Sequence, residues 1–251
     1  MRRRDAAFAC AACASLALYN NLASRHRWHQ ERYVRLNLGA AAVLLGAAAA
    51  SGLSAAELGL GRGWWRPGRL AAGLAAGTGA GWILVAAVPA TRPVLADRRI
   101  TSFEPRALAY QAAVRIPAGT VLWEEVAFRG VLQASLVRVL PRRVAIAVTA
   151  TVFGVWHVRP TIAALRANDL AAGRRQAVIG GLAGSAVMGG AGVLLSLLRD
   201  RSGWLASPAL LHLTASSGAI IAAGVAARLG PASRRPGRAG PEQLRIDRDH
   251  E

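Results

Sequence analysis

Long apolar runs of Ala, Leu, Gly and Val, separated by short arginine-rich connectors, restrict what this 251-residue chain can fold into. A helix that spans a bilayer needs about 20 mostly apolar residues. Only 18% of the residues are charged, whereas soluble domains carry about a quarter. This pattern predicts an all-α fold, a polytopic transmembrane bundle of about seven spans. The predicted spans are residues 6–23, 33–53, 68–90, 107–137, 142–158, 176–198 and 203–227.

Three regions are expected along the chain. Residues 1–54 hold the first two predicted spans, and their basic start followed by an apolar run is similar to a signal peptide. Because a second long apolar run follows, we expect the first run to remain as a membrane helix. Residues 55–230 form the main bundle. Residues 231–251 are rich in Pro, Gly and charge and are predicted to be a disordered basic tail.

The net charge of +18 raises the question of a nucleic-acid partner. All 31 basic residues are arginines, and they lie in nearly every connector instead of on one segment. Cations at the ends of membrane helices, where they meet lipid headgroups, explain this distribution better than a nucleic-acid interface does. We therefore expect an integral protein of a bacterial plasma membrane, with the lipid bilayer and no nucleic acid as partner. The membrane orientation stays open, because arginines flank both ends of most spans.

Small residues recur inside the predicted spans. Cys10 and Cys13 lie in an apolar run without a second cysteine pair, which favours packing residues over a metal or redox pair. Gly73, Gly77 and Gly81, like Gly180 and Gly184, are four apart, a spacing that lets two membrane helices approach closely. We predict packing within one bundle, and a dimer face is the alternative. The oligomeric state stays open.

Two adjacent carboxylates interrupt the fourth predicted span in "TVLWEEVAFRG". On a helix, Glu125 and Arg129 are four residues apart and share a face, so they can form an ion pair. Glu124 points about 100° away from Glu125 on an ideal helix, and Arg129 does not obviously satisfy it. A carboxylate in an apolar interior is costly unless it is paired, hydrogen-bonded or protonated. One paired and one unpaired acid suit general-base chemistry.

Two of the five histidines also lie in apolar spans. His157 ends the fifth span, and His212 lies inside the seventh, with Ser216 one helical turn later. His26, His29 and His250 lie in a connector and the tail, where we expect them to be solvated. Ionisable groups inside a membrane bundle are functional candidates by default.

Glu124, His157 and His212 allow more than one chemistry. Glu and His can hold and deprotonate a water, while a second His stabilises the oxyanion that forms when that water attacks an amide. Two His and one Glu also match the ligands of a catalytic zinc with an open position. Buried Glu and His serve proton relays in transporters as well, although no paired-half repeat is visible.

The motifs resemble those of the CPBP family, the CAAX-protease and bacteriocin-processing (Abi) intramembrane peptidases. Its pattern is Glu-Glu-x-x-x-Arg, Phe-x-x-x-His and His-x-x-x-Asn on separate helices. Here the three segments are "EEVAFR" from Glu124, "FGVWH" from Phe153 and "HLTAS" from His212, with Ser216 in place of Asn. The run "ELGLGRGWW" is similar to a segment that often precedes the family core. The resemblance extends over residues 55–227. The similar proteins in this family include type II CAAX prenyl endopeptidases.

The resemblance implies an intramembrane endopeptidase acting on a peptide or membrane protein. Glu124 and His157 would activate the water, and His212 with Ser216 would face the oxyanion. Glu125 would pair with Arg129, and Phe153 would support the site. Members of the family are often called metalloproteases, but a metal-free mechanism that uses a glutamate has also been proposed for them. We favour the metal-free route; a bound metal, zinc being the candidate, would use Glu124, His157 and His212.

Two questions stay open. The serine offers one donor where the family has an amide, and loss of one oxyanion donor typically lowers the rate about 10²–10³-fold. Activity could therefore be weakened, and a non-catalytic scaffold or bacteriocin-immunity-type protein of the same fold is the alternative. Nothing in the sequence identifies the substrate or shows whether it is prenylated.

Overall fold

The structure is a computed structural model that describes residues 2–22 and 27–230. These residues form helices and connectors without a β-strand, so the all-α fold is confirmed. The predicted disordered tail, residues 231–251 with His250, and the connector residue His26 lie outside the described ranges.

Eleven α-helices are present in the described ranges. They are α1 (Arg2–Leu22), α2 (Arg27–Glu31), α3 (Tyr33–Ala50), α4 (Arg69–Ala87), α5 (Arg98–Thr101), α6 (Pro105–Tyr110), α7 (Gln133–Val137), α8 (Arg142–Trp156), α9 (Val158–Ala167), α10 (Arg174–Ser202) and α11 (Ala206–Leu229). A 3₁₀-helix covers Pro89–Leu95, and two π-helical segments, here π1 (Gln111–Leu122) and π2 (Glu125–Leu132), join α6 to α7.

Four helices are long and apolar enough to cross a membrane, namely α3, α4, α10 and α11. Each corresponds to a predicted span. The predicted spans 6–23, 107–137 and 142–158 do not meet the same criterion within the described residues. The first corresponds to α1, which begins with three arginines and an aspartate ahead of the predicted span. The second is divided among α6, π1, π2 and α7, and the third corresponds to the 15-residue α8.

Glycines bring α8 and α10 into close contact beside the candidate site. A Cβ atom on Gly154 would lie 2.7 Å from the carbonyl oxygen of Ser185, closer than side chains tolerate. A Cβ on Gly192 would lie 3.2 Å from the ring of Phe153. The backbones can therefore approach only because neither position carries a side chain, which is the use of small residues expected between membrane helices.

The other glycine pairs divide into two groups. Gly180 and Gly184 pack against Leu165 and Thr161 of α9, as packing within one bundle requires. The prediction was wrong for Gly73, Gly77 and Gly81, because no described atom beyond the adjoining backbone of α4 lies within 4 Å of a Cβ at any of these positions. These three glycines lie on a face of α4 that the bundle leaves uncovered.

The N-terminal helices are tied to π1 by a buried polar chain. Tyr19 of α1 donates to Oδ1 of Asn37 at 2.6 Å, and Nδ2 of Asn37 donates to the carbonyl oxygen of Gly119 at 2.7 Å. His29 lies 3.2 Å from the Tyr19 hydroxyl and is only 2% exposed. The expectation that His29 is solvated was therefore wrong: α2 turns its ring inward, where Tyr19 and Tyr33 contact it edge-on.

Candidate active site

The two π-helical segments place Glu124 and Glu125 at their junction. Pro117 lies inside π1 and supplies no backbone N–H. π-helical turns are rare and occur frequently at functional sites. Both carboxylates are buried, with 4% of Glu124 and 2% of Glu125 exposed.

Glu125 lies at the centre of a buried charge cluster. Its Oε1 accepts from Nη1 of Arg129 at 3.1 Å and lies 2.8 Å from Nδ1 of His212. Arg129 is fully buried, and its guanidinium stacks 4.1 Å from the centre of the Phe153 ring. This arrangement compensates the charge of Glu125 and fixes the orientation of the His212 ring on α11.

Glu124 faces the two histidines instead. Its Oε2 lies 3.9 Å from Nε2 of His157 and 3.9 Å from Nε2 of His212. Its Oε1 accepts from Nε1 of Trp156 at 3.2 Å. Oε2 has no hydrogen-bond partner in the described chain. The separations are too long for direct hydrogen bonds, but a water about 2.8 Å from each atom fits between the carboxylate and a ring nitrogen.

The backbone of α8 sets the proton position on His157. Nδ1 of His157 lies 2.8 Å from the carbonyl oxygen of Phe153. A carbonyl can only accept, so Nδ1 carries the proton, and in the neutral ring Nε2 is an acceptor. The atom that faces Glu124 is therefore able to accept a hydrogen bond from a bound water.

Ser216 lies on α11 one turn after His212. It is half-buried, and its side chain makes no hydrogen bond with the described residues. The neighbouring Ser217 is buried and donates to the carbonyl oxygen of Ala112 in π1 at 2.9 Å. The structure thus brings Glu124, His157 and His212 together, but Ser216 makes no hydrogen bond to them.

Sequence reasoning missed Trp156 and Ser217. Trp156 directly precedes His157 in "FGVWH". A buried indole N–H needs an acceptor, so an acidic residue on a neighbouring helix could have been predicted as its partner. Ser217 had no comparable signal, because its acceptor is a backbone carbonyl that a widened helical turn exposes.

An apolar cavity of about 470 Å³ reaches the charge cluster. Glu125 is the charged residue among those that line it, and the other lining residues are mostly aromatic or aliphatic. They include Leu45, Leu60, Trp64, Trp65, Leu122, Val126, Leu205 and Leu213. The cavity therefore offers a low-polarity surface next to the site.

The residues do not fit a zinc site in their present arrangement. Tetrahedral zinc with bonds of about 2.0–2.1 Å places its ligand atoms roughly 3.3 Å apart. The two carboxylate-to-imidazole separations are both 3.9 Å. Within the described ranges, no group of three His, Cys, Asp or Glu side chains has an arrangement that would hold a metal ion.

Comparison with protein families gives a match to the model described as type II CAAX prenyl endopeptidase Rce1-like, over residues 107–217. Residues 107–217 are thus similar to an Rce1-like domain. Neither the comparison with curated proteins nor that with solved structures gave a match. At the level of the family, the match supports a CAAX-type intramembrane protease and a membrane protein.

The Rce1-like domain runs from α6 into α11 and contains Glu124, His157 and His212. The helices α1 to α5 precede it. The polar chain through Asn37 therefore connects a segment outside the domain to π1 inside it.

Proposed function

We propose that this protein is an intramembrane endopeptidase in which Glu124 activates a water for attack on a peptide bond. The observation that carries the proposal is the position of Glu124 Oε2, which lies 3.9 Å from Nε2 of His157 and from Nε2 of His212 without a hydrogen-bond partner in the described chain. A water bound there faces an acceptor on each side and has one lone pair free for the substrate carbonyl carbon.

The reaction uses this chain's side chains as follows. Glu124 takes a proton from the water as the new C–O bond forms, and His157 Nε2 accepts a hydrogen bond from the same water. His212, held through Nδ1 by Glu125, donates from a protonated Nε2 to the carbonyl oxygen as it becomes an oxyanion. Glu124 then returns the proton to the leaving nitrogen, and the C–N bond breaks to give a carboxylic acid and an amine.

The apolar cavity indicates the kind of substrate. A peptide held with its scissile bond at Glu124 would place adjacent apolar residues, or an attached lipid, against Leu122, Val126 and Leu213. Ala209 also lines this cavity, so Ala209→Trp would fill it. This variant is expected to raise KM more than it lowers kcat, because the cavity binds the substrate and does not perform chemistry.

The central experiment uses purified protein in detergent with membrane-anchored peptide substrates. Glu124→Gln and His157→Ala are expected to lower kcat by about 10²–10⁴-fold, the usual contribution of general acid–base catalysis. Glu104→Gln is the matched control, since Glu104 is exposed and precedes the domain's helices. Undiminished cleavage in both site variants, with thermal stability unchanged, would reject Glu124 as the base.

Metal dependence is tested separately. Activity is expected to survive exhaustive chelation, and elemental analysis should find less than one metal per chain. Loss of activity on chelation with recovery on adding Zn²⁺ would replace the glutamate mechanism with a metal-dependent one.

Ser216 distinguishes a weakened enzyme from a non-catalytic scaffold. If Ser216→Asn increases turnover while the starting protein cleaves slowly, the serine limits an enzyme. Absence of cleavage in both forms would favour the scaffold, which is the second candidate because Ser216 has no hydrogen-bond partner in the described chain.

A further inference from the structure

A second cavity, of about 300 Å³, is lined by four arginines, and we refer to it as the arginine cavity. It lies between π2 and α7, the start of α8, the end of α10 and the turn around Glu57. Glu124, Glu125, His157 and His212 do not line it. The lining residues with polar side chains are Glu57, Arg129, Gln133, Arg138, Arg142, Arg199 and Asp200.

Three of the four arginines have a carboxylate partner. Arg138 lies 2.8 Å from Glu57, Arg142 lies 3.0 Å from Asp200, and Arg129 lies 3.1 Å from Glu125. Arg138 also lies 3.3 Å from Asp5. These contacts leave one guanidinium without an ion pair among the described residues.

Arg199 is that guanidinium. It is 9% exposed, its Nη2 donates to the carbonyl oxygen of Glu57 at 2.6 Å, and its Nε has no partner in the described chain. Arg129 Nε, on the same cavity, is also buried without a partner. A buried cation without a counter-ion is costly, so the cavity as built favours binding of an anion.

The position in the fold indicates the level of the lipid headgroups. Arg142 is the first residue of α8, and Arg199 lies in the last turn of α10. The connector that carries Glu57 also carries Trp64 and Trp65, which are 45% and 59% exposed. Helix ends, arginines and exposed tryptophans together are typical of the membrane interface, where basic pockets between helices bind phosphate headgroups.

We propose that the arginine cavity binds a phosphate-class anion, either the phosphate of a phospholipid headgroup or free phosphate. Guanidinium groups suit this ligand because their planar N–H donors match phosphate oxygens in pairs. Arg199 provides a buried guanidinium that makes no ion pair with the described residues and whose Nε has no hydrogen-bond partner there, and Arg142, at the rim, provides an exposed donor. The test of this site needs no activity measurement.

The experiment measures the thermal midpoint of full-length, delipidated protein in a neutral detergent at low salt. Two probes are titrated separately: inorganic phosphate and a short-chain phosphatidylglycerol. Both are expected to raise the midpoint if free phosphate is accepted. Stabilisation by the lipid alone identifies the headgroup as the source, provided that native mass spectrometry shows the lipid bound to intact protein.

Three variants localise the effect. Arg199→Gln is expected to weaken the apparent affinity about tenfold or more, since a hydrogen bond to a charged group is lost together with the charge. Arg142→Gln should weaken it less, because its side chain is 65% exposed. Arg143→Gln is the matched control: it is the next residue on α8, removes the same charge, is exposed, and does not line the cavity.

Two results would overturn the proposal. One is the absence of any midpoint shift with either probe in the unaltered protein. The other is an equal loss of affinity in Arg142→Gln and Arg143→Gln, which would show general surface attraction instead of a site. If Arg199→Gln does not fold, the comparison of Arg142→Gln with Arg143→Gln still decides the question.

Discussion

The indole N–H of Trp156 donates to Oε1 of Glu124 at 3.2 Å and thereby leaves Oε2 of the same carboxylate to face the histidines. The indole thus selects which oxygen of the carboxylate is available to a water. This relationship connects the residue before His157 on α8 to the chemistry proposed for Glu124.

Trp156→Phe is expected to lower kcat about tenfold or more with little change in KM. The variant keeps an aromatic ring but removes a hydrogen bond to a charged group, an interaction worth about 1.5–3 kcal/mol. Steady-state cleavage kinetics measure the effect. Trp123→Phe is the control, because Trp123 is 3% exposed and its Nε1 has no hydrogen-bond partner in the described chain. An equal loss in both variants would assign the effect to aromatic packing.

Gly154→Ala is expected to destabilise the protein by about 1–3 kcal/mol, the usual cost of overpacking. The new Cβ would meet the carbonyl oxygen of Ser185 at 2.7 Å, and α8 must move away from α10. The matched variant Gly190→Ala, on α10, meets no described atom within 4 Å and should be neutral or slightly stabilising. Thermal unfolding in detergent separates the two. Equal midpoints would mean that α8 and α10 do not approach closely.

Asn37→Leu is expected to destabilise the protein by about 1–3 kcal/mol, because the buried carbonyl of Gly119 would lose its side-chain donor and the hydroxyl of Tyr19 would lose its acceptor. Activity should fall as well, since Gly119 lies in π1 five residues before Glu124. Leu38→Ala is the comparison at the next position of α3, where 38% of the side chain is exposed. Thermal unfolding together with cleavage rates checks both effects, and an Asn37→Leu protein as stable as Leu38→Ala would show that the polar chain is dispensable.

The contact of Glu57 with Arg138 predicts a pH dependence outside the membrane spans. The hydrogen bonds from Arg138 lower the pKa of Glu57 from 4.5 to about 2. Because the folded pKa is below the unfolded one, the pair stabilises the fold above about pH 4.5 and loses this effect as the pH falls towards 2.

Glu57→Gln should therefore lower the thermal midpoint at pH 7 and approach the unaltered protein as the pH is lowered through 4 to 3. Glu104→Gln, an exposed position, serves as the control for the loss of one negative charge. A midpoint difference between Glu57→Gln and the unaltered protein that is constant from pH 7 to pH 3 would contradict the predicted role of the pair.

Local spacing predicted part of this site. The four-residue separation of Glu125 and Arg129 indicated an ion pair, and the two atoms lie 3.1 Å apart. The apolar runs predicted the helices, and the three segments predicted the match to the Rce1-like family. These features depend on helix periodicity and chain order, which a sequence displays directly.

The remaining features depend on contacts between distant segments. His29 looks solvated in an arginine-rich connector, yet Tyr19 and Tyr33 enclose it. Trp156 donates a hydrogen bond to Glu124, which lies 32 positions earlier in the chain. Asn37 and Ser217 donate hydrogen bonds to backbone carbonyl groups of π1. The spacing of apolar residues in the sequence does not predict the π-helical turns around Glu124.

The widened helical segment before Glu124 has a consequence for how this chain can change over generations. A π-helical hydrogen bond spans five residues, whereas an α-helical one spans four. Deleting a single residue within Gln111–Leu122 would therefore let the segment relax to an ordinary α-helix. Every side chain beyond the deletion would then rotate by about 100°. Single-residue deletions here should be far more damaging than substitutions of the same residues.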